Sequence, residues 1–170
     1  MRGDDLRWME FAIELAWLCP PAATAYSVGA VIVAADGTEL SRGFSRESDP
    51  VVHAEESALG KLGSGDPRLP GAAIYSTLEP CSQRKSRPRS CTELILATRM
   101  AAPGRSSGFT GPGRPGGNIG IGRVVIAWRE PALFVADCQG VELLTRAGIE
   151  VTELPELAEP AKAPNRHLGV

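Results

Sequence analysis

Three metal-ligating residues and one carboxylate constrain this chain more than any other feature: His53-Ala54-Glu55, then Glu79-Pro80-Cys81, then Cys91. They act together only if the fold brings distant segments to one point. One imidazole and two thiolates make three protein ligands, so a tetrahedral zinc ion keeps its fourth position for water, as catalytic rather than structural sites do. Zinc lowers the pKa of that water from 15.7 to about 7, which makes it a nucleophile near neutrality. Glu55, two residues from His53, is placed to take a proton and pass it to a ring nitrogen and then to a departing amine. The expected chemistry is hydrolysis at an amidine-like carbon that carries an exocyclic amine.

The same residues have plainer readings. A structural zinc site closes its shell with a fourth Cys or His, and Cys19, Cys138 and His167 are the other residues of those types, none in a paired spacing with the first set. Buried inert thiols or a disulfide are the alternatives for the cysteines, and a solvated helix residue is the alternative for Glu55. The conjunction of a H-x-E, a proline-preceded cysteine and a second cysteine entering a helical pattern favours the catalytic site.

The chain has 170 residues, 43% of them hydrophobic, which fits one small domain with a real core. A formal charge of −2 argues against a grip on long nucleic acid and favours a small-molecule partner. No apolar run is long enough for a membrane span, and the residues after Met1 lead into an amphipathic segment rather than a secretory core. The expected location is cytoplasmic, where four cysteines are read as thiols or ligands.

Apolar periodicity predicts a first helix over 5–18, and the β-branched run 28–34, turned by Asp36-Gly37 into 38–44, predicts a hairpin. A second helix is expected over 50–62 with Gly63 past its end, placing His53 and Glu55 in its first turn. Strand 72–77 leads through a turn to Cys81, and a third helix over 91–101 starts after a Ser90 cap. Cys81 then stands at a strand's carboxyl end, where open α/β sheets hold ligands. Both cysteines are expected near a helix N-terminus, whose partial positive charge favours thiolates. Residues 103–122, nearly all Gly, Pro, Ser, Arg and Asn, read as a long flexible loop, either a surface insertion or a substrate lid, with Arg105, Arg114 and Asn118 as candidate contacts. Strand 123–128, helix 139–147 and strand 149–154 complete a unit spanning 1–154, and 155–170 reads as an extended arm. Alternating strands and helices imply a mixed sheet in a three-layer α/β/α sandwich.

From about residue 11 to 151 the chain resembles the cytidine-deaminase-like zinc superfamily, and within it the deaminase domain of the bifunctional riboflavin-biosynthesis deaminase/reductases. The likeness rests on Val28-Gly29-Ala30-Val31-Ile32-Val33, on His53-Ala54-Glu55-Glu56-Ser57-Ala58-Leu59, and on Tyr75-Ser76-Thr77-Leu78-Glu79-Pro80-Cys81-Ser82. Asp137-Cys138-Gln139-Gly140-Val141-Glu142-Leu143-Leu144 and Ala147-Gly148-Ile149-Glu150-Val151 are similar to the closing helix and strand of that family. Nine residues separate Cys81 from Cys91, close to the long spacing of riboflavin-type deaminases rather than the two residues of cytidylate, tRNA-adenosine and editing deaminases. The resemblance implies zinc on His53, Cys81 and Cys91, Glu55 as proton carrier, and the phosphoribosylated diaminopyrimidinone of riboflavin synthesis as substrate. It also implies a homodimer or homotetramer, and a deaminase unit without the reductase that follows it in the bifunctional proteins.

Two departures bear on the substrate. The Asn-Pro pair that such proteins carry before the Val-Gly-Ala strand is replaced by Thr24-Ala25-Tyr26-Ser27, and the segment between the cysteines becomes Arg84-Lys85-Ser86-Arg87-Pro88-Arg89. The four cations Arg84, Lys85, Arg87 and Arg89 read either as a phosphate grip or as a solvated loop. The resemblance also implies that the main chain around Ala54 and Ser76 lies along the ring, with Tyr26 and Ser27 beside it, Tyr26 being either a pocket wall or core packing. Phe44, Trp128 and Phe134 are expected in the core, with Trp8 and Trp17 covering it or meeting another subunit. The rival readings are a cytidine- or deoxycytidylate-type nucleotide deaminase, a deaminase of an aminated heterocycle in secondary metabolism, and a zinc-stabilised binding module.

Overall fold

A computed structural model describes residues 3–63, 65–99 and 120–170. Most of the expected 103–122 loop, with Arg105, Arg114 and Asn118, lies outside the described residues. The sheet is built from β1 (Gly29–Val33), β2 (Glu39–Phe44), β3 (Ala73–Leu78), β4 (Arg123–Trp128) and β5 (Glu150–Glu153) in the spatial order β2-β1-β3-β4-β5. β1 runs antiparallel to β2 and β3, whereas β3, β4 and β5 are parallel, so the sheet is mixed as expected. The continuous apolar runs of β1 and β4 are buried at every position, which is what a strand covered on both faces requires. In the hairpin, Gly37 turns with φ 88° and the Asp36 carboxylate accepts from the Thr38 amide, so Asp-Gly fits the backbone sign the turn needs.

Among the described residues, five helices cover the sheet: α1 (Asp5–Ala16), α2 (Ala54–Gly60), α3 (Cys91–Ala97), α4 (Gly140–Arg146) and α5 (Ala158–Lys162). Two glycines show which layer each side belongs to. A Cβ on Gly29 would fall 1.9 Å from the Ala12 carbonyl of α1, and one on Gly43 would fall 2.6 Å from the Ala54 carbonyl of α2. Gly29 pairs with Phe44, so Gly43 is one residue out of step and faces the other way. α1 and α2 therefore press on opposite faces; α5 joins α1, and α3 and α4 continue from α2. The result is the expected three-layer α/β/α sandwich.

Several boundaries differ from the sequence reading. α2 begins at Ala54 rather than at 50, because Asp49 organises residues 49–52 into a turn: its carboxylate accepts from the Val51 amide and its carbonyl from the Val52 amide. His53 is thus the N-cap residue rather than part of the first turn. The cap at the other end is Lys61, not a glycine at 63, and α3 closes at Ala97, short of the expected 101.

The segment after 154 is a correction. It forms a 3-10 turn (Pro155–Leu157), α5 and a second 3-10 turn (Ala163–Leu168), not an extended arm. Proline content suggested extension, yet Pro155 and Pro164 stand in the first turns of their elements, where a missing N–H costs nothing. Ala161 and Asn165 are buried by this packing. Among the described residues no helix is long and apolar enough to cross a membrane.

At the amino ends of β4 and β5 a buried network ties α1 to the sheet. Arg123 makes a two-pronged ion pair with Asp5 at the start of α1, at 2.6 and 2.9 Å. It also donates to Glu150 and Thr152, and the Tyr75 hydroxyl donates to Asp5. Both members of the pair are almost fully buried. Removing one partner of such a pair strands a charge and costs about 3–5 kcal/mol. Arg123→Leu is expected to lose that much in denaturant unfolding; a loss under about 1 kcal/mol would show the pair is not a structural tie.

Candidate active site

Each of the three donors is fixed by its own piece of backbone. His53 caps α2 with extended backbone (φ −91°, ψ 160°), and the Glu56 carboxylate accepts from its amide at 3.3 Å. Cys81 follows the carboxyl end of β3 through Glu79 and Pro80. Cys91 is the first residue of α3, where Ser90 and Glu93 form the reciprocal cap that the sequence pattern S-x-x-E specifies. The loop between the cysteines closes on itself, because the Thr92 amide donates to the Cys81 carbonyl and the Cys91 amide points at the Cys81 sulfur, 3.4 Å away. Both cysteines therefore stand at the start of α3.

These elements bring His53 Nδ1 within 3.6 Å of Cys81 Sγ and 3.4 Å of Cys91 Sγ, and the three donor atoms lie within 4.8 Å of one another. The set fits a tetrahedral zinc that keeps one open position: one imidazole and two buried thiols, with no fourth Cys or His in the cluster among the described residues. Cys19 and Cys138 are elsewhere and form no disulfide. His167 bonds the Ala22 carbonyl. A hydrogen bond from Cys91 and the neighbouring imidazole push Cys81 down to about 4, while the Cys81 sulfur and burial push Cys91 well up.

Glu55, at the second position of α2, is buried and its Oε1 accepts from Ser76 Oγ at 2.7 Å. Ser76 belongs to β3, so the strand that delivers Cys81 also orients the carboxylate. Ser76, expected along the ring, spends its hydroxyl on the Glu55 carboxylate. Glu79 does comparable work behind the site: its two oxygens accept the amides of Glu130 and Val141, tying the end of β3 to the end of β4 and to the start of α4. α4 can approach this closely because residue 140 is glycine; a Cβ there would fall 2.1 Å from the Pro80 carbonyl.

His53, Glu55, Glu79 and Cys81 lie on the wall of a cavity of about 720 Å³. Tyr26, Arg84 and Lys85 also line it; Ser27, Ala54, Ser76, Arg87 and Arg89 do not. Ser27 is held behind the wall by Asn165 and Arg46. The basic run is largely spent within the protein. Arg84, its side chain only 2% exposed, pairs with Glu56 at 2.8 Å and donates to the Val51 carbonyl, and Arg87 pairs with Asp49 at 2.5 Å. Lys85 and Arg89 are exposed.

The sequence reading missed Arg46, Glu130 and Phe134. Phe134, expected in the core, is 39% exposed and lines the cavity with its ring 4.8 Å from that of Tyr26. Glu130 also lines it, and burial, with the charges of Cys81 and Glu55 adding, pushes its carboxyl up to about 8. A charged residue just past the carboxyl end of a parallel strand was a usable signal for Glu130. Arg46 gave none; its backbone takes φ 64°, which no residue-type preference announces.

The comparisons with known proteins agree with this geometry. Residues 2–102 match the sequence family described as the cytidine and deoxycytidylate deaminase zinc-binding region. The chain is 39% identical over 148 residues to the diaminohydroxyphosphoribosylamino-pyrimidine deaminase of Schizosaccharomyces pombe, which is 86% of this chain and 31% of that protein. Among solved structures, a RibD of Acinetobacter baumannii superposes with a TM-score of 0.70 at 31% identity, covering 97% of this chain and 39% of the other. The diaminohydroxyphosphoribosylaminopyrimidine deaminase/5-amino-6-(5-phosphoribosylamino)uracil reductase of Thermotoga maritima gives 0.69 at 30% identity, covering 96% and 40%. This chain spans about a third of the length of the curated relatives it matches. By its matched zinc-binding region, its fold and its His/Cys/Cys cluster, the chain belongs to the cytidine and deoxycytidylate deaminase family.

Proposed function

We propose that this chain is a hydrolytic deaminase of a small aminopyrimidine, the diaminohydroxyphosphoribosylaminopyrimidine on which its S. pombe relative is named to act. The observation that carries the reading is a buried carboxylate, Glu55, oriented by Ser76 beside three converging donors on the wall of a cavity. His53, Cys81 and Cys91 would hold zinc, which when bound supplies a Lewis acid that activates water near neutral pH. Glu55 takes a proton from the attacking water and gives it to the ring nitrogen, then carries the second proton to the leaving amine. The carbon–nitrogen bond to the exocyclic amine breaks, a carbon–oxygen bond replaces it, and ammonia departs. Ser76 holds the carboxylate through both transfers.

Tyr26 and Phe134 offer apolar surface for a flat heterocycle, and Lys85, exposed on the cavity wall, would meet a phosphate. Arg84 stabilises the same loop from beneath through Glu56. The rewritten wall at 24–27 favours a second reading, in which a nucleotide or another aminated heterocycle is the amine hydrolysed. A homodimer or homotetramer in the cytoplasm belongs to the proposal; Trp17 and Leu18, 60% and 61% exposed, are apolar side chains that such a contact would cover.

Three measurements test this. Zinc-loaded protein is expected to release ammonia from the diaminopyrimidinone ribotide and not from cytidine, cytidylates or guanine; turnover confined to one of the latter moves the enzyme to that substrate. Glu55→Gln should retain zinc and thermal stability while activity falls at least about a hundredfold, the scale of a lost general acid/base. Activity within about tenfold of wild type would remove Glu55 from the proton path. Cys91→Ala should purify without stoichiometric zinc, and normal metal content in that variant would take Cys91 out of the ligand set.

A further inference from the structure

The wall of the cavity at 24–28 is held by two side chains from distant parts of the chain. Asn165, on the C-terminal 3-10 turn and 1% exposed, accepts the Ser27 amide at 2.7 Å and donates to the Ser27 carbonyl at 3.0 Å. Both ends of one amide are thus spent on one residue, as a strand neighbour would spend a peptide. Arg46 holds the same stretch from the other side, donating to the Pro20 and Tyr26 carbonyls at 2.8 and 2.9 Å and to Ser27 Oγ at 3.0 Å. Its φ of 64° is a backbone state that non-glycine residues rarely adopt. Ser45 completes the hold by accepting the Val28 amide.

Tyr26 is what these contacts deliver. It lines the cavity and is 7% exposed, and its hydroxyl has no hydrogen-bond partner among the described residues. Its ring meets Trp128 and Phe134 edge-on at 5.7 and 4.8 Å, so packing fixes the phenol without satisfying its polar end. A buried hydroxyl left unpaired is costly, and an arriving acceptor removes that cost. Burial, with Glu130 second, pushes the phenol up to about 12, so it keeps its proton and donates. Phe134, the exposed member of the pair, is the part of the cover a ligand can displace.

We propose that Asn165 and Arg46 are positioning residues for substrate recognition, clamping the 24–28 wall so that the Tyr26 hydroxyl donates a hydrogen bond to an acceptor oxygen or nitrogen of the bound amine. The proposal rests on the deaminase reading above. It makes the C-terminal helical segment part of the recognition apparatus although that segment touches no reacting atom.

The test combines Tyr26→Phe, Asn165→Ala and the double variant, measuring zinc content, kcat and KM for the amine that wild type turns over best, and hydrogen exchange across 20–28. Tyr26→Phe is expected to lower kcat/KM about tenfold, carried mostly by KM, with zinc content unchanged. Asn165→Ala should give a loss of the same kind together with faster exchange across 24–28, while β3 and β4 keep their protection. In the double variant the two losses should not multiply, because Asn165 acts through Tyr26. A KM within twofold of wild type in Tyr26→Phe, or losses that multiply in the double variant, would overturn the recognition role. A lower melting temperature with unchanged KM in Asn165→Ala would show that residue to be a structural tie only. If wild type turns over no amine in the panel, the deaminase reading falls and the recognition role with it; the clamp is still decided by exchange, which must rise across 24–28 in Asn165→Ala.

Discussion

The meeting of an imidazole and two thiols within 4.8 Å is the constraint around which the rest is arranged. No single element can supply it, since the donors come from the start of α2, the end of β3 and the start of α3. Placing them together requires the parallel pairing of β3 with β4, whose carboxyl ends open at the same edge, and the packing of α2 against α3. Glu79 shows how the edge is secured: one buried carboxylate takes amides from the segment after β4 and from α4, so the turn carrying Cys81 cannot drift from either.

The site separates holding from reacting. Ser76 steadies Glu55, Glu56 steadies His53 and Arg84, and the Ser90–Glu93 cap steadies Cys91. Much of the charge around the cysteines is consumed in this way. A run of cations that reads in sequence as a surface for phosphate is mostly internal scaffolding, with Lys85 left on the cavity wall and Arg89 in solvent.

How far the sequence could be read follows from the range of the interactions involved. Strand β4, the cap at Ser90 and the Asp-Gly hairpin were legible because each is decided by neighbours a few residues apart. The metal cluster was legible because donor types and their spacing carry the chemistry. The start of α2 was misplaced because Asp49 bends the chain just before it, and the C-terminal segment was misjudged because burial of Ala161 and Asn165 depends on a surface built by residues more than a hundred positions earlier. Arg46 and the bond from Ser76 to Glu55 were hidden for the same reason: their partners are set by tertiary contact rather than by local pattern.

The two glycines on opposite faces of the β1–β2 hairpin have unequal consequences. Gly29 lets α1 settle on the sheet, which is a matter of fit. Gly43 meets the backbone of α2 at Ala54, the residue lodged between His53 and Glu55. The position of Glu55 is therefore gauged from the far side of its helix, by a lone hydrogen where any other residue would bring carbon. A methyl group at that position would act as a wedge, tilting the end of α2 that carries His53 and Glu55 outward, so the geometry of the cluster is calibrated by the thickness of a layer with no chemistry of its own.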